Sequence, residues 1–178
     1  MKLLLELREE DIELISKHPC SKRRDAARAV LLKGNKIALI YVSRHGYHKL
    51  PGGGIEKGES IEDALFREIK EETGCKIKII GEVGKIIEHR THFNLLQTSY
   101  CFLAKVIEED KPEFDKGELG AGYKLGWTTI DQAIKLLRKE PETKDKLENY
   151  LGKFIIKRDL RCLEEAQKII NSNKQDNN

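Results

Sequence analysis

The amino-acid sequence predicts an α/β (α+β) sandwich, with a mixed β-sheet packed between helices and a helical extension at the C-terminus. Apolar runs rich in β-branched residues occur both before and after a single central helical segment. In the last third of the chain, apolar residues recur instead at helical spacing. Strands on both sides of one helix, with more helix at the end, are typical of a layered sheet-and-helix fold.

Before the central helix, the sequence predicts a β-hairpin. Residues 25–32 and 36–43 are two apolar runs that favour strands. Gly34 and Asn35 lie between them, and both tolerate the positive φ of a tight turn.

The segments that flank this hairpin are less regular. Residues 1–24 form a mixed N-terminal segment, in which we expect a short strand at 1–7 and a helical turn at 9–16. Residues 44–49 follow the hairpin and are expected to form a polar loop.

The central helix has clear ends in the sequence. Ser60 is suited to be its N-cap, with Asp63 three residues later in a role like that of a capping box. Gly74 fits the left-handed position at which many helices end. The apolar residues between these ends recur near helical spacing: Ile61, Ala64, Leu65 and Ile69.

Two long strands are predicted after the central helix, at residues 76–90 and 95–107. Gly81 and Gly84 interrupt the first of them and predict a bend or a bulge. The charged residues 108–122 that follow predict a loop.

The rest of the chain predicts one short strand and then helices. The strand is expected at 123–129 and a first helix at 130–139. A second helical segment at 143–170 contains Gly152, which weakens it, and Asp159, which could cap a separate helix.

We expect the chain to divide into four parts. Residues 1–24 are the N-terminal segment, 25–140 the main domain, 141–171 a helical extension packed on that domain, and 172–178 a polar, disordered tail.

The composition favours a soluble protein of the cytoplasm. The net charge of +3 over 178 residues indicates no general surface for polyanions, so no nucleic-acid partner is expected. The apolar start of the chain is too short for a signal peptide or a membrane span, so no membrane partner is expected. The four cysteines match no zinc or disulfide framework. A homodimer is compatible with the sequence, although no feature indicates one.

Two short stretches of the chain are basic. Each could contribute to a local patch for a phosphorylated substrate, and solvated surface charge is the alternative for any single residue. The basic residues are Lys22, Arg23, Arg24 and Arg28 near the start, and Lys153, Lys157, Arg158 and Arg161 near the end.

Carboxylates crowd one face of the central helix. Glu68, Glu71 and Glu72 stand at positions i, i+3 and i+4 and would repel one another on a bare helix. A divalent cation between them would remove this repulsion, and oxygen ligands favour Mg²⁺ or Mn²⁺ over zinc. The preceding glycine turn lets the backbone approach such an ion, so the Gly53 carbonyl is a candidate ligand. A solvated acidic face is the alternative.

The stretch from Gly53 to Cys75 has the pattern G, five residues, E, seven residues and then R-E-I-K-E-E-T-G-C. This pattern resembles the signature of the Nudix hydrolases. The family has an aliphatic residue where this chain has Cys75, and cysteine packs as a small hydrophobe. The resemblance implies the sheet-and-helix sandwich of that family and metal-assisted attack of water on a diphosphate linkage.

The resemblance also implies roles for the residues of this pattern. Glu71 and Glu72 are expected to bind the cation. Arg67 is expected to hold Glu59 and Glu68 by a forked ion pair. Glu68 either binds the metal or acts as the general base, and family members differ in this assignment.

Many Nudix proteins take a further metal ligand from the region before the last strand. In this chain Glu118 is the candidate, and Glu113 and Asp115 compete with it.

Substrate contacts are predicted outside the signature. Tyr47 and His48, beside His45, precede it where a substrate could pass. Trp127 and Tyr123 could stack on a base, with core packing as the alternative.

The predicted function is Mg²⁺-dependent hydrolysis of a small nucleoside diphosphate derivative. The MutT-like prefix KLPGGGIEKGES favours a nucleoside triphosphate, including an oxidised one. Nucleotide sugars, dinucleotide polyphosphates and NAD-type compounds are alternatives within the same chemistry. A ligand sensor or regulator that does not hydrolyse, and hydrolysis at an RNA 5′ end, are the remaining hypotheses.

Overall fold

The structure is a computed structural model that describes residues 1–12, 20–139 and 141–175. This part of the chain contains seven strands, four α-helices and two short 3-10 turns. The strands are β1 (Leu3–Leu7), β2 (Lys22–Lys33), β3 (Lys36–Val42), β4 (Tyr47–Lys49), β5 (Cys75–Arg90), β6 (Leu95–Glu109) and β7 (Tyr123–Thr128). The helices are α1 (Ile61–Thr73), α2 (Lys116–Ala121), α3 (Ile130–Leu137) and α4 (Lys146–Gln175).

All seven described strands belong to one mixed sheet with the order β1-β5-β6-β2-β3-β4, and β7 pairs with β3. The predicted hairpin is confirmed, since β2 and β3 are antiparallel on either side of the turn at Gly34. Most of β2 pairs in parallel with β6, which in turn is antiparallel to β5. The predicted irregularity in β5 is confirmed by register shifts beside Gly81 and Gly84.

Helices cover both faces of the sheet, so the predicted α/β sandwich is confirmed. Alternate residues of β2 contact the two layers, as the period of a strand requires. Ala29 and Leu31 pack in a core with residues of α1, such as Leu65. Val30 packs instead in a larger core with residues of α3 and α4, such as Phe154.

Two of the predicted loops contain regular structure. Residues Tyr47–Lys49, expected in a loop, form the strand β4 because their backbone pairs with β3. The charged segment 108–122 contains α2, which begins at a capping box between Asp115 and Glu118. In both cases the polar composition concealed the element.

The helical segment predicted at 143–170 is observed as α4, one continuous helix of 30 residues, so the separate helix that Asp159 could have capped is not formed. Gly152 is accommodated inside it, where an added Cβ would lie 2.8 Å from the Pro141 side chain. Asp159 does not cap a helix, since its carboxylate accepts hydrogen bonds from Arg158 and from the Leu50 backbone.

The predictions for the two ends of the chain can also be compared with the structure. The strand predicted at 1–7 is observed as β1, and the turn predicted at 9–16 is observed over Glu9–Ile12, with its remainder outside the described residues. The predicted tail at 172–178 is helical as far as Gln175, and 176–178 also lie outside them. No helix within the described ranges has the length and apolar character that crossing a bilayer requires.

The division into a domain at 25–140 and a separate extension stays a prediction. In the structure, the extension supplies part of the main core, because Phe154 and Leu163 of α4 are fully buried with Val30 and Ile86 of the sheet.

Candidate active site

A polar cleft of about 640 Å³ opens where α1, the glycine turn, β2, α2 and α4 meet. Charged side chains of both signs dominate its walls. The carboxylates are Glu56, Glu68, Glu71, Glu72, Glu113, Asp115 and Glu118. The cations are Arg24, Arg28, Lys49, Arg67, Arg90 and Arg158. Such a cleft is suited to a charged ligand.

Helix α1 is fixed at both ends as the sequence predicts. The Ser60 hydroxyl accepts a hydrogen bond from the Asp63 amide at 3.1 Å and donates one to the Asp63 carboxylate at 2.7 Å. At the other end Gly74 has a φ of 72° and donates to the Lys70 carbonyl. These caps set where the glutamates of α1 stand relative to the glycine turn.

Arg67 gathers the carboxylates of the signature. Its guanidinium donates two hydrogen bonds of 2.9 Å to Glu59 and one of 2.8 Å to Glu68. A longer contact of 3.4 Å reaches Glu71. The bonds from Arg67, and then one from the Glu56 amide, lower the pKa of Glu59 to about 2. The forked pair predicted for Arg67 with Glu59 and Glu68 is therefore present.

Glu72 is the most enclosed glutamate of the cleft, with its side chain 2% exposed. One of its oxygens accepts a hydrogen bond of 2.6 Å from the Lys49 ammonium, and the other accepts one of 2.7 Å from the Gly52 amide. Lys49 also lies 3.4 Å from the Gly52 carbonyl and 4.8 Å from the centre of the Tyr123 ring. Glu72, Lys49 and Gly52 thus form one buried polar group.

The glycine turn requires glycine at two consecutive positions. Gly52 has a φ of 125°, and a Cβ there would lie 2.2 Å from the Ala27 carbonyl oxygen. A Cβ on Gly53 would lie 2.2 Å from the carboxylate carbon of Glu68. The turn therefore brings the backbone into direct contact with the predicted catalytic carboxylate.

The Gly53 carbonyl does not face the glutamates as the sequence suggested. It accepts a hydrogen bond of 3.0 Å from the Ala27 amide, which ties the turn to β2. The carbonyl that faces the Lys49–Glu72 pair belongs to Gly52. The pairing of Gly53 with Ala27 of β2 accounts for this difference, because it engages the Gly53 carbonyl.

The chain's own cations occupy the places between the predicted metal ligands. Within residues 1–12, 20–139 and 141–175, no three His, Cys, Asp or Glu side chains are grouped closely enough to hold a metal ion. Lys49 binds Glu72, while Arg67 binds Glu68 and Glu71. Both cations reduce the repulsion that the sequence attributes to bare carboxylates.

The donor set of the cleft nevertheless fits a divalent cation of the Mg²⁺ type. Its donors are carboxylate and carbonyl oxygens, with no His or Cys in the lining. Burial, and after it the charge of Glu68, raise the pKa of Glu71 despite Arg67. Burial, and then the nearby charge of Glu72, raise the pKa of Glu118 to about 7. Burial is the main cause of both shifts, and the charge of a neighbouring carboxylate adds to each.

The three candidates for a further ligand all line the cleft. Glu118 and Asp115 close the first turn of α2 through reciprocal hydrogen bonds of 2.8 Å. The Glu113 amide donates to the Glu71 carbonyl at 2.7 Å and so ties this segment to α1. The charge of Glu72 contributes to the raised pKa of Glu118, after burial.

Three of the predicted substrate residues outside the signature, Tyr47, His48 and Trp127, are not among the residues that line the cleft. Tyr47 is buried in the core beside α4, and the ring of its neighbour His48 lies tilted against that of Tyr41, with ring centres 4.7 Å apart. Trp127 packs against the core beneath α1, with the Lys33 ammonium 5.0 Å from its ring. Tyr123 is the predicted aromatic residue that does line the cleft.

The sequence did not assign the arginines of the cleft to one site. Arg24 and Arg28 belong to the first basic stretch, Arg158 belongs to the second, and Arg90 ends β5. The two basic stretches were a signal, but only the fold shows that they meet. Lys49 was also missed, since it lies in the predicted polar loop.

Comparisons with known proteins agree with this fold. The model of the NUDIX domain matches residues 22–150 of the chain. An ADP-ribose pyrophosphatase of Methanocaldococcus jannaschii is 44% identical over 62 residues, which are 33% of this chain and 37% of that protein. An RNA pyrophosphohydrolase of Campylobacter jejuni is 38% identical over 65 residues, or 36% and 35% of the two chains. The chain thus spans little more than a third of the length of these relatives.

Solved structures show the same fold. A NUDIX hydrolase from Nitrosomonas europaea superposes with a TM-score of 0.61 at 21% identity, covering 83% of this chain and 90% of the other. The family match extends well beyond the signature, from the start of β2 into α4. The chain belongs to the Nudix hydrolase family.

Proposed function

We propose that the chain hydrolyses a diphosphate linkage in a nucleoside diphosphate derivative and that it uses Mg²⁺, with Mn²⁺ as the alternative cation. One observation carries the proposal: a single guanidinium, that of Arg67, holds Glu59, Glu68 and Glu71 beside the buried Lys49–Glu72 pair. A solvated acidic helix face would not require this degree of order.

The residues that would hold the cation are Glu71, Glu72 and the Gly52 carbonyl, with Glu118 as a further ligand. Gly52 replaces Gly53 in this set because the Gly53 carbonyl is engaged by Ala27. When bound, the cation orients the diphosphate, lowers the pKa of a bound water and neutralises charge on the phosphorus oxygens.

The chain's own groups account for the remaining steps. Glu68 accepts the proton of the attacking water, and Arg67 keeps its carboxylate in place. The water oxygen forms a new bond to phosphorus, and the bond from phosphorus to the bridging oxygen breaks. The bridging oxygen then leaves with the second phosphate. Lys49 can donate to a phosphate oxygen once the cation replaces it beside Glu72.

Within this reaction class we propose nucleoside triphosphates, including oxidised ones, as the first substrates to test. The resemblance of residues 49–60 to the MutT-like group supports this choice. ADP-ribose and the 5′ end of RNA are alternatives, because two relatives are named ADP-ribose pyrophosphatase and RNA pyrophosphohydrolase. Nucleotide sugars and dinucleotide polyphosphates are further alternative substrates. Ligand sensing without hydrolysis is the alternative function.

A panel of these compounds with Mg²⁺ tests the proposal, with release of phosphate, pyrophosphate or nucleoside monophosphate as the readout. Glu68→Gln and Glu72→Gln should each abolish most turnover. Glu62→Gln is the matched control, since Glu62 is an exposed glutamate of the same helix outside the cleft. Full turnover in both cleft variants would refute the proposed site.

The choice between Glu118, Glu113 and Asp115 can be made in the same assay. The variants Glu118→Gln, Glu113→Gln and Asp115→Asn are compared for the Mg²⁺ concentration that gives half-maximal rate. We expect the largest increase for Glu118→Gln, because Glu118 is partly buried in the cleft and lies near enough to Glu72 for that charge to raise its pKa.

A further inference from the structure

Four arginines form a cationic wall in the same cleft. We call Arg24, Arg28, Arg90 and Arg158 the arginine pocket; they come from β2, β5 and α4. On β2, Val30 packs toward α4 while Ala29 packs toward α1. Arg24 and Arg28 stand at the positions of β2 that share the face of Val30. The arginine pocket therefore lies on the α4 side of the cleft, and Glu68 and Glu72 are near enough to act electrostatically on Arg24 and Arg28.

Two of these arginines have carboxylate partners. Glu88 accepts a hydrogen bond of 2.7 Å from Arg90 and lies 3.6 Å from the Arg158 guanidinium. Asp159 accepts bonds of 2.7 Å and 3.1 Å from Arg158. Among the described residues, Arg90 and Arg158 are thus ion-paired with carboxylates, whereas Arg24 and Arg28 are in no ion pair. The doubly charged form of a phosphate group carries the complementary charge.

Arg28 is the most informative member of the pocket. It is only 6% exposed, yet within the described residues it has no ion-pair partner. Its Nε is buried without a hydrogen-bond acceptor, and its Nη1 reaches only the Ala27 carbonyl at 3.5 Å. Burial, and then the charge of Arg158, lower the pKa of Arg28 to about 10. A buried guanidinium without an ion-pair partner lowers the stability of the fold.

A structural role alone does not account for Arg28. Buried cations that support a fold are paired and hydrogen-bonded, as Arg158 is. An unpaired guanidinium that lines an open cleft has its donors available for a ligand. Planar guanidinium donors match phosphate oxygens especially well.

We propose that the arginine pocket binds a second phosphate of the substrate, separate from the diphosphate that is cleaved. The inference rests on the proposed function, since it concerns the substrate of that same site. The substrate class is thereby narrowed to nucleoside diphosphate derivatives that carry a further phosphate group. The cleft of about 640 Å³ lies within the usual range for a site that encloses a small molecule. Through Arg158, α4 becomes part of the binding site.

The first experiment measures anion binding without hydrolysis. Inorganic phosphate is titrated into the metal-free protein in EDTA, with chloride at equal ionic strength as the reference, by calorimetry and thermal shift. We expect phosphate to bind and to raise the melting temperature. Arg24→Gln and Arg28→Met should remove both effects. Phosphate binding that is unchanged in both variants overturns the proposal.

The matched control is Arg23→Gln. Arg23 is exposed, precedes Arg24 on the same strand and is not among the residues of the cleft. This variant should bind phosphate as the wild type does. Arg24→Gln changes an exposed side chain and so gives an answer even if Arg28→Met does not fold. A purely structural Arg28 would instead leave phosphate binding intact when it is replaced and would lower the melting temperature.

The second experiment compares substrates that differ only in one phosphate. NADPH and NADH form one pair, and coenzyme A and dephospho-coenzyme A form another. With Mg²⁺, we expect kcat/KM to be about tenfold higher for the phosphorylated member of at least one pair. Arg24→Gln and Arg28→Met should bring that ratio close to one, and Arg23→Gln should preserve it.

The outcomes separate this inference from the proposed function. Hydrolysis with equal kcat/KM for both members of every pair overturns the second-phosphate site and leaves the hydrolase assignment intact. The same result together with phosphate binding in the first experiment would mean that the pocket takes free phosphate, which also overturns the proposal. Hydrolysis of no compound at all overturns the proposed function, and with it the substrate assignment.

Discussion

Lys49 and Glu72 form an ion pair of 2.6 Å at the base of the cleft, with only 9% and 2% of their side chains exposed. The pair joins β4 to α1, and the Gly52 amide completes the coordination of the carboxylate. In the metal-free protein Lys49 therefore supplies the positive charge that the repelling glutamates require.

Replacing Lys49 by Met should leave Glu72 buried without its cation. Removing one partner of a buried pair typically costs about 3–5 kcal/mol in the free energy of unfolding. Chemical denaturation in EDTA measures this loss. Added Mg²⁺ should recover more stability in Lys49→Met than in the wild type, because the ion can take the place of the ammonium.

The control for this prediction is Lys33→Met. Lys33 also forms a 2.6 Å pair, with Glu109, but both side chains are 44% exposed. An exposed pair contributes only about 0–1 kcal/mol. An equal loss of stability in the two variants, or the same Mg²⁺ response in Lys49→Met and wild type, would contradict the prediction.

Alanine at Gly53 should impair activity more than stability. The added Cβ would meet the Glu68 carboxylate, which is the far end of a flexible side chain and can move. We expect kcat/KM to fall by about 10–100-fold, as when a supporting contact of a catalytic group is lost. The melting temperature should change little.

Alanine at Gly52 provides the contrast. This position combines a φ of 125° with a clash against the Ala27 backbone, so strain of about 1–3 kcal/mol is expected. Thermal denaturation of the two variants side by side checks the difference. A stable Gly52→Ala together with an unfolded Gly53→Ala would contradict the assignment of backbone strain to Gly52.

Replacing Arg67 by Lys should lower activity although the charge is kept. An ammonium cannot make the forked contacts to Glu59 and Glu68 at the same time. We expect a loss of about 10–100-fold in kcat/KM. Arg138→Lys is the control, because Arg138 meets Glu164 at 3.4 Å on the surface. Wild-type rates in Arg67→Lys would mean that charge alone is sufficient.

Glu88 should give the protein a pH-dependent stability. Burial alone would raise the pKa of its carboxyl group, but Arg90 and Arg158 outweigh burial and hold that pKa below its usual value. Between the folded and unfolded pKa values, the unfolded chain binds more protons. The stability from Glu88 is therefore complete above the unfolded pKa of about 4.3 and is lost as the pH falls through the folded pKa.

Urea denaturation between pH 7 and pH 3 tests this dependence with Glu88→Gln. At neutral pH the variant should be less stable by about 3–5 kcal/mol, since Arg90 and Arg158 lose their shared partner. This difference should shrink in acid. Glu82→Gln, on the same strand but 60% exposed, should show no such convergence. A difference that stays constant down to pH 3 would rule out an ionised Glu88.

The sequence predicts those parts of the site that depend on the spacing of residues close together in the chain. The caps at Ser60 and Gly74 define α1, and the separation of Arg67 from Glu59 places them on one side of the turn. These contacts lie within one helix and the turn before it, so they can be predicted without knowledge of the rest of the fold. The family resemblance added the chemistry that such spacing performs.

The parts that the sequence could not provide depend on pairing across the fold. The different partners of the Gly52 and Gly53 carbonyls depend on how the turn pairs with β2, which composition does not reveal. Tyr47 points into the core because β4 pairs with β3, so a loop interpretation placed it wrongly. Arg28 and Arg158 come from opposite ends of the chain and meet only because α4 lies across the sheet.

The hydrogen bond of 2.8 Å from the Leu50 amide to Asp159 joins α4 to the residue that precedes Pro51 and the glycine turn. The Leu50 amide hydrogen can exchange with solvent only when α4 moves away from the sheet. A ligand that fills the cleft holds the turn and α4 together and should slow this exchange. The exchange rate of the Leu50 amide hydrogen thus reports whether a ligand fills the cleft.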